Sequence, residues 1–118
     1  MAWTPTIIAA AQTGNFTSTA ALRTSDFDYQ VGGAIVITST IGATPTVTVN
    51  IQGSVDGVNY FNIPYALVAT PSTFVIAALT ITTAVTTTYL FQSLQPWEFV
   101  QVVASANTNC TLTCTAYL

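Results

Sequence analysis

The sequence predicts an all-β protein, an antiparallel β-sandwich (jelly-roll or Ig-like) of about seven to nine strands with an N-terminal arm. Three observations carry this prediction. First, 23 of the 118 residues are Thr, whose β-branched side chain suits a pleated, half-exposed surface. Second, apolar and polar residues alternate strictly in two segments. Val47, Val49 and Ile51 alternate with Thr46, Thr48, Asn50 and Gln52. Cys110, Leu112, Cys114, Ala116 and Leu118 alternate with Thr111, Thr113, Thr115 and Tyr117. Third, turn signals recur at roughly 8–12-residue spacing, and no segment holds a 3.6-residue period.

Taken in order, residues 1–14 read as an N-terminal arm or first strand, and 15–118 as a single sandwich domain. In the arm, Trp3 and Pro5 precede the apolar Ile7-Ile8-Ala9-Ala10-Ala11, and Gly14 closes the segment. Such an arm either straps its own core or docks on a neighbouring subunit. Trp3, Ile7 and Ile8 are its candidate subunit-interface residues. Residues 23–29 read as a strand or strand edge, ended by Gly32-Gly33. Residues 34–40 are a short apolar run suited to a buried strand, and residues 42–45 a turn or loop containing Gly42 and Pro45. Residues 46–53 are the clearest strand. Asp56-Gly57 signals a hairpin, since both residue types tolerate positive φ. Residues 59–63 leave that turn, and Pro64 confines them to an edge or an end. Residues 72–83 are expected to hold another strand, centred on Phe74-Val75-Ile76-Ala77-Ala78-Leu79. Residues 86–91 are a short strand candidate. Pro96 opens a strand over 97–104, residues 107–109 turn the chain, and 110–118 close it.

Composition excludes much. Lys+Arg is 1 and Asp+Glu is 4, so charged residues are 4% of the chain, against about 25% in an ordinary soluble domain. One Arg cannot neutralise a nucleic-acid backbone or anchor a protein to anionic lipid. With no His and no Lys, there is no Ser-His or Cys-His pair and no Schiff-base amine. A hydrophobic fraction of 51% with a net charge of −3 argues against disorder. The longest purely apolar stretches are about five residues, far short of the roughly 20 a spanning helix needs. The N-terminus carries no basic n-region, so no secretory signal is expected. Alternation alone leaves a membrane barrel as the lesser alternative.

The remaining candidates for chemistry have plainer readings. Cys110 and Cys114 lie four apart on one strand, so their Cα atoms should sit about 13 Å apart. A disulfide needs roughly 4.4–6.8 Å, so both are expected as small core residues. Asp26 and Asp28 share one strand face and do not straddle a substrate as a glycosidase pair would. They read as a solvated edge or as partners of Arg23. Asp56 and Asn59 fall short of a calcium loop, and Asp56 is favoured in its turn for backbone reasons. Glu98 is assigned no chemistry. The Asn15-Phe16-Thr17 and Asn109-Cys110-Thr111 acceptor patterns are expected by chance in a Thr-rich chain. Most aromatics should be core. No catalytic, cofactor-binding or metal residue is expected, and no cofactor. The function should lie in surfaces. Edge strands of monomers are usually guarded by Lys, inward charge or Pro. This chain lacks such guards, so partner subunits in a closed ring, a trimer for instance, should cover much of it.

From Ala20 on, the order of features is distinctive. Ala21-Leu22-Arg23-Thr24-Ser25 is followed by Gly32-Gly33-Ala34-Ile35-Val36-Ile37-Thr38, then by Thr46-Val47-Thr48-Val49-Asn50-Ile51-Gln52-Gly53. Asp56-Gly57-Val58-Asn59-Tyr60 comes next, with Leu94-Gln95-Pro96-Trp97 late in the chain. Over roughly residues 20–118 this resembles the small β-sandwich virion proteins of tailed bacteriophages. The chain departs from that pattern at Glu98, where a basic residue is common, and at the sparsely charged Ser54-Val55-Asp56 hairpin. The resemblance implies a structural virion part, not an enzyme. A capsid decoration (cement) protein fits best, made in the bacterial cytoplasm and bound to the capsid exterior. Its implied partners are itself and the major capsid protein, with no nucleic acid, membrane or small-molecule substrate. A neck or tail component and a carbohydrate-binding module are the alternatives.

Overall fold

The computed structural model describes residues 5–22, 32–92 and 95–118. Nine strands form within them: β1 (Pro5–Thr13), β2 (Phe16–Thr17), β3 (Ala21–Leu22), β4 (Gly33–Ser54), β5 (Phe61–Asn62), β6 (Tyr65–Leu67), β7 (Leu79–Ile81), β8 (Thr86–Phe91) and β9 (Phe99–Tyr117). The described residues contain no helix. Every strand pairing is antiparallel, so the all-β antiparallel prediction holds. Hydrogen bonds join all nine strands into one sheet rather than two separate ones. Its main path runs β1-β9-β4-β8-β6, with β2 and β3 on β9 and β5 and β7 on β4.

The core comes from bending this one sheet. β4 and β9 pair along nearly their whole lengths, from Ala34↔Tyr117 to Ser54↔Phe99. Fully extended, the 22 residues of β4 would span about 73 Å. The longest dimension of the molecule is 43 Å, so the strand must turn a corner. It does so between Ile41 and Thr48, where the β4–β9 register slips. Left-handed backbone occurs there at Thr44 (φ 45°), Ala106 (φ 50°) and Asn109 (φ 54°), and β1 bulges beside it at Ala11 (φ 46°). Such bulges sharpen twist and let a strand fold over.

The β4–β9 slip is of two residues, so it preserves which side chains point inward. Ile35 and Ile37 before the bend, and Val47, Val49 and Ile51 after it, are all buried. On β9 the same holds for Val100, Val102 and Ala104, then Cys110, Leu112, Cys114 and Ala116. They form one continuous hydrophobic cluster. At the β1 side the two halves are tied together, because the Thr19 amide donates to the Ile8 carbonyl at 3.0 Å.

The bend corrects two expectations. Residues 42–45 were expected as a loop and residues 107–109 as a turn, yet both are kinks within continuous strands. Asn side chains hold the corner. Asn107 accepts the Cys110 amide at 3.1 Å and donates to the Gly14 carbonyl at 2.7 Å. Asn109 donates to the Ala43 carbonyl at 2.6 Å. These side chains stand in for ladder bonds that a bulge breaks.

A third expectation is corrected at residues 72–83. Only Leu79–Ile81 forms a ladder there, as β7 on β4, and residues 74–78 make a single bridge, Tyr65↔Val75. A continuous apolar run reads as a buried strand, but burial needs a facing layer, and residues 74–78 touch the sheet only at its edge, through that bridge. Strand β8 forms as predicted. Trp97 precedes β9, is 1% exposed and packs edge-on against Phe91 at 5.3 Å. The strand expected over 23–29 lies outside the described residues.

Candidate functional site

Of the three predicted interface residues, Trp3 lies outside the described residues. Ile8 is 3% exposed and belongs to the core cluster. Ile7 is 63% exposed and points the other way, just before the register shift of β1 between Ile7 and Ala9.

Ile7 stands on the outer face of the first half of the sheet. Register places it opposite Thr115, which is opposite Val36, which is opposite Thr88. The next row is Thr113, Thr38 and Thr86, and the one after is Thr111 and Thr40. The hydroxyls of Thr38 and Thr86 lie 3.1 Å apart. Four strands thus present a half-exposed face of hydroxyls and methyls without charge. The alternation in 110–118 revealed the one strand of it that β9 supplies. The rest depended on strand pairing between distant segments, which no local signal contains.

The outer face of the second half is also neutral, but amide-rich. Gln101 donates to Gln52 at 2.9 Å, and Gln52 donates to Asn62 at 3.2 Å. This ladder crosses β9, β4 and β5, so the three strands are linked through side chains as well as backbone.

The residues weighed for chemistry take structural roles. Cys110 and Cys114 are buried and free, and burial pushes the Cys114 thiol up to about 12. Asp56 Oδ1 accepts the amides of Asn59 and Val58, at 2.8 and 2.9 Å, and the Ser54 hydroxyl. Its Oδ2 accepts the Asn59 side-chain amide at 2.7 Å. The backbone bonds to Asn59 and Val58, then those side chains, hold the carboxyl well below the usual carboxylate range. Asn15 and Asn109 are engaged at the corner, accepting from the Asn107 amide and donating to Ala43 respectively. Arg23, Asp26 and Asp28 lie outside the described residues. Among the described residues no group of three His, Cys, Asp or Glu converges. Tyr65, Tyr89, Phe91 and Trp97 are buried and so cannot form an exposed aromatic platform.

The described residues also form concavities. A cleft of about 560 Å³ at the corner is lined by Thr13, Thr40, Ile41, Asn107, Asn109 and Thr111, among others. A smaller cleft of about 220 Å³ is lined by Tyr65, Leu67, Thr70, Thr73, Val75 and Leu79. Beside it Val68, Val75 and Ile76 are exposed.

No protein-family profile matches the sequence, and no curated protein matches it. Among solved structures, the chain is similar to the SPBc2 prophage-derived protein YomS. The TM-score is 0.61 over 97% of this chain and 90% of that one, at 9% sequence identity. At that identity the likeness shows a shared fold.

Proposed function

We propose that this chain is a non-enzymatic structural protein of a bacteriophage virion, and within the virion a capsid decoration protein that self-associates and stabilises the head. The observation that carries the reading is the neutral outer face built by Ile7, Val36 and the threonines of β4, β8 and β9. An ordinary surface holds charges whose desolvation opposes burial. Here a partner meets methyls and hydroxyls that it can cover at little cost, provided it supplies hydrogen bonds. The fold shared with a prophage-derived protein supports a phage setting. The proposed partners are a second copy of the chain and the major capsid protein, and the proposed location is the capsid exterior.

The test is the number of copies per particle, from quantitative gel densitometry of purified virions. Hundreds of copies, with capsids that rupture at lower temperature when the protein is missing, are expected. Six or twelve copies would move the chain to the neck or tail. Absence from particles would end the virion reading.

A further inference from the structure

The segment beyond β6 poses a conflict between sequence and structure. Phe74-Val75-Ile76-Ala77-Ala78-Leu79 has the composition of a buried strand, yet Val75 is 45% and Ile76 62% exposed. The segment returns antiparallel to β6 after a turn in which Thr70 donates to Leu67 and Thr73 to Thr70. Tyr65 and Val75 then exchange both backbone bonds, at 2.9 and 3.0 Å. The Tyr65 hydroxyl also donates to the Ala77 carbonyl at 3.0 Å. In such a hydrogen-bonded pair the flanking residues turn their N–H and C=O groups the other way. Phe74 and Ile76 therefore direct backbone donors and acceptors outward. Among the described residues, no backbone group bonds to them.

Among the described residues this is the open end of the sheet on the β6 side, and none of them pairs with its outer side. No residue between Asp56 and Glu98 carries charge, and residues 74–79 contain neither Pro nor Gly. Residues 74–78 form a neutral apolar run held to β6 by the Val75 bridge, and such a run on an open edge is a template for another strand. The unpaired backbone groups call for an extended strand as occupant, and the missing charge calls for a neutral one. A second copy supplies such a neutral extended segment in its own residues 74–78.

We infer that residues 74–78 are the edge through which two copies of this chain pair, antiparallel to one another about a two-fold axis. Pairing joins the two sheets into one. Each copy's outward backbone groups satisfy the other's, and the 220 Å³ cleft beside Val75 receives apolar side chains of the partner strand. An isologous contact of this kind closes on itself and does not propagate. The inference rests on the self-association proposed above, and not on the capsid as partner.

The test is sedimentation equilibrium of the full chain and three variants. Ile76→Pro removes an outward donor, and Ile76→Lys places a charge on the edge. Val58→Lys places one on an exposed turn elsewhere. The wild type should self-associate, and both Ile76 variants should weaken it at least about tenfold. Val58→Lys should leave it unchanged. Far-UV circular dichroism identifies an Ile76→Pro chain that has not folded, in which case Ile76→Lys decides. Self-association that persists in the Ile76 variants overturns this edge and leaves the decoration reading standing. A wild type that stays monomeric yet binds capsids overturns pairing between copies and gives the edge to a strand of the capsid protein.

Discussion

Asp56 shows how one side chain sets a local structure. Its carboxylate gathers the two amides that follow it, the Ser54 hydroxyl and the Asn59 side chain, and Ser54 in turn accepts the Gly57 amide at 2.9 Å. Gly57 takes φ +77°, the left-handed conformation this turn requires. All partners lie within three residues, so the turn was legible in Asp-Gly alone. The bonds favour the charged carboxylate and lower its pKa in the folded chain. The unfolded value is about 3.9. The stabilisation is therefore complete above about pH 4 and is lost as pH falls toward the folded value. Thermal melts at pH 6 and pH 3 should show a larger loss for the wild type than for Asp56→Asn. An equal loss in both would contradict this role. Ile7 and Ile8 mark the opposite case. Two adjacent isoleucines look alike in sequence, and only the pairing of β1 with β9 decides which one faces the core.

At the scale of the element, β4 and β9 dominate, since each runs through both halves of the sheet. Their alternation was legible in 46–53 and 110–118 because inward parity is a local property. Their length was not. Residues 42–45 and 107–109 carry strong turn signals, and those signals do mark changes of direction. The direction changes by a bulge, however, because each kinked strand stays paired with a kinked neighbour. Gly53 lies where β4 passes the core aromatic. A Cβ there would stand 2.8 Å from Ile63 Cγ2 and 3.0 Å from Trp97 Cγ. Both neighbours are buried, so neither can yield freely. Gly53→Ala should cost about 1–3 kcal/mol, read from the midpoint of denaturant unfolding. A variant as stable as the wild type would show that Trp97 has room to shift.

The whole molecule is poor in charge, with a net charge of −3, and its described residues present two uncharged outer faces and an open edge. Charge screening therefore has little to act on. If hydroxyl and apolar burial with backbone pairing drives self-association, the oligomer should survive about 1 M NaCl, where the Debye length has shrunk to roughly 3 Å. Light scattering across a salt series measures this. Dissociation on adding salt would place charge, and so Arg23 and the four carboxylates, at the contact. In the sequence, the scarcity of charge argues against nucleic acid and lipid headgroups as partners. Set on the structure, it becomes a property of particular surfaces: the threonine rows around Ile7, the amide ladder at Gln52, and the run at 74–79.

The sequence by itself determined the antiparallel β class, the inward parity of the longest strands, the Asp56 turn and the burial of two cysteines too far apart to bridge. Each follows from interactions between residues near in sequence. The tertiary structure alone decided that one bent sheet encloses the core, that Ile8 is inside and Ile7 outside, and that the apolar run at 74–79 lies on the surface. These depend on which distant segments pair, as Ala34 does with Tyr117. Long-range pairing is chosen by the packing of the whole chain, and no local pattern records it.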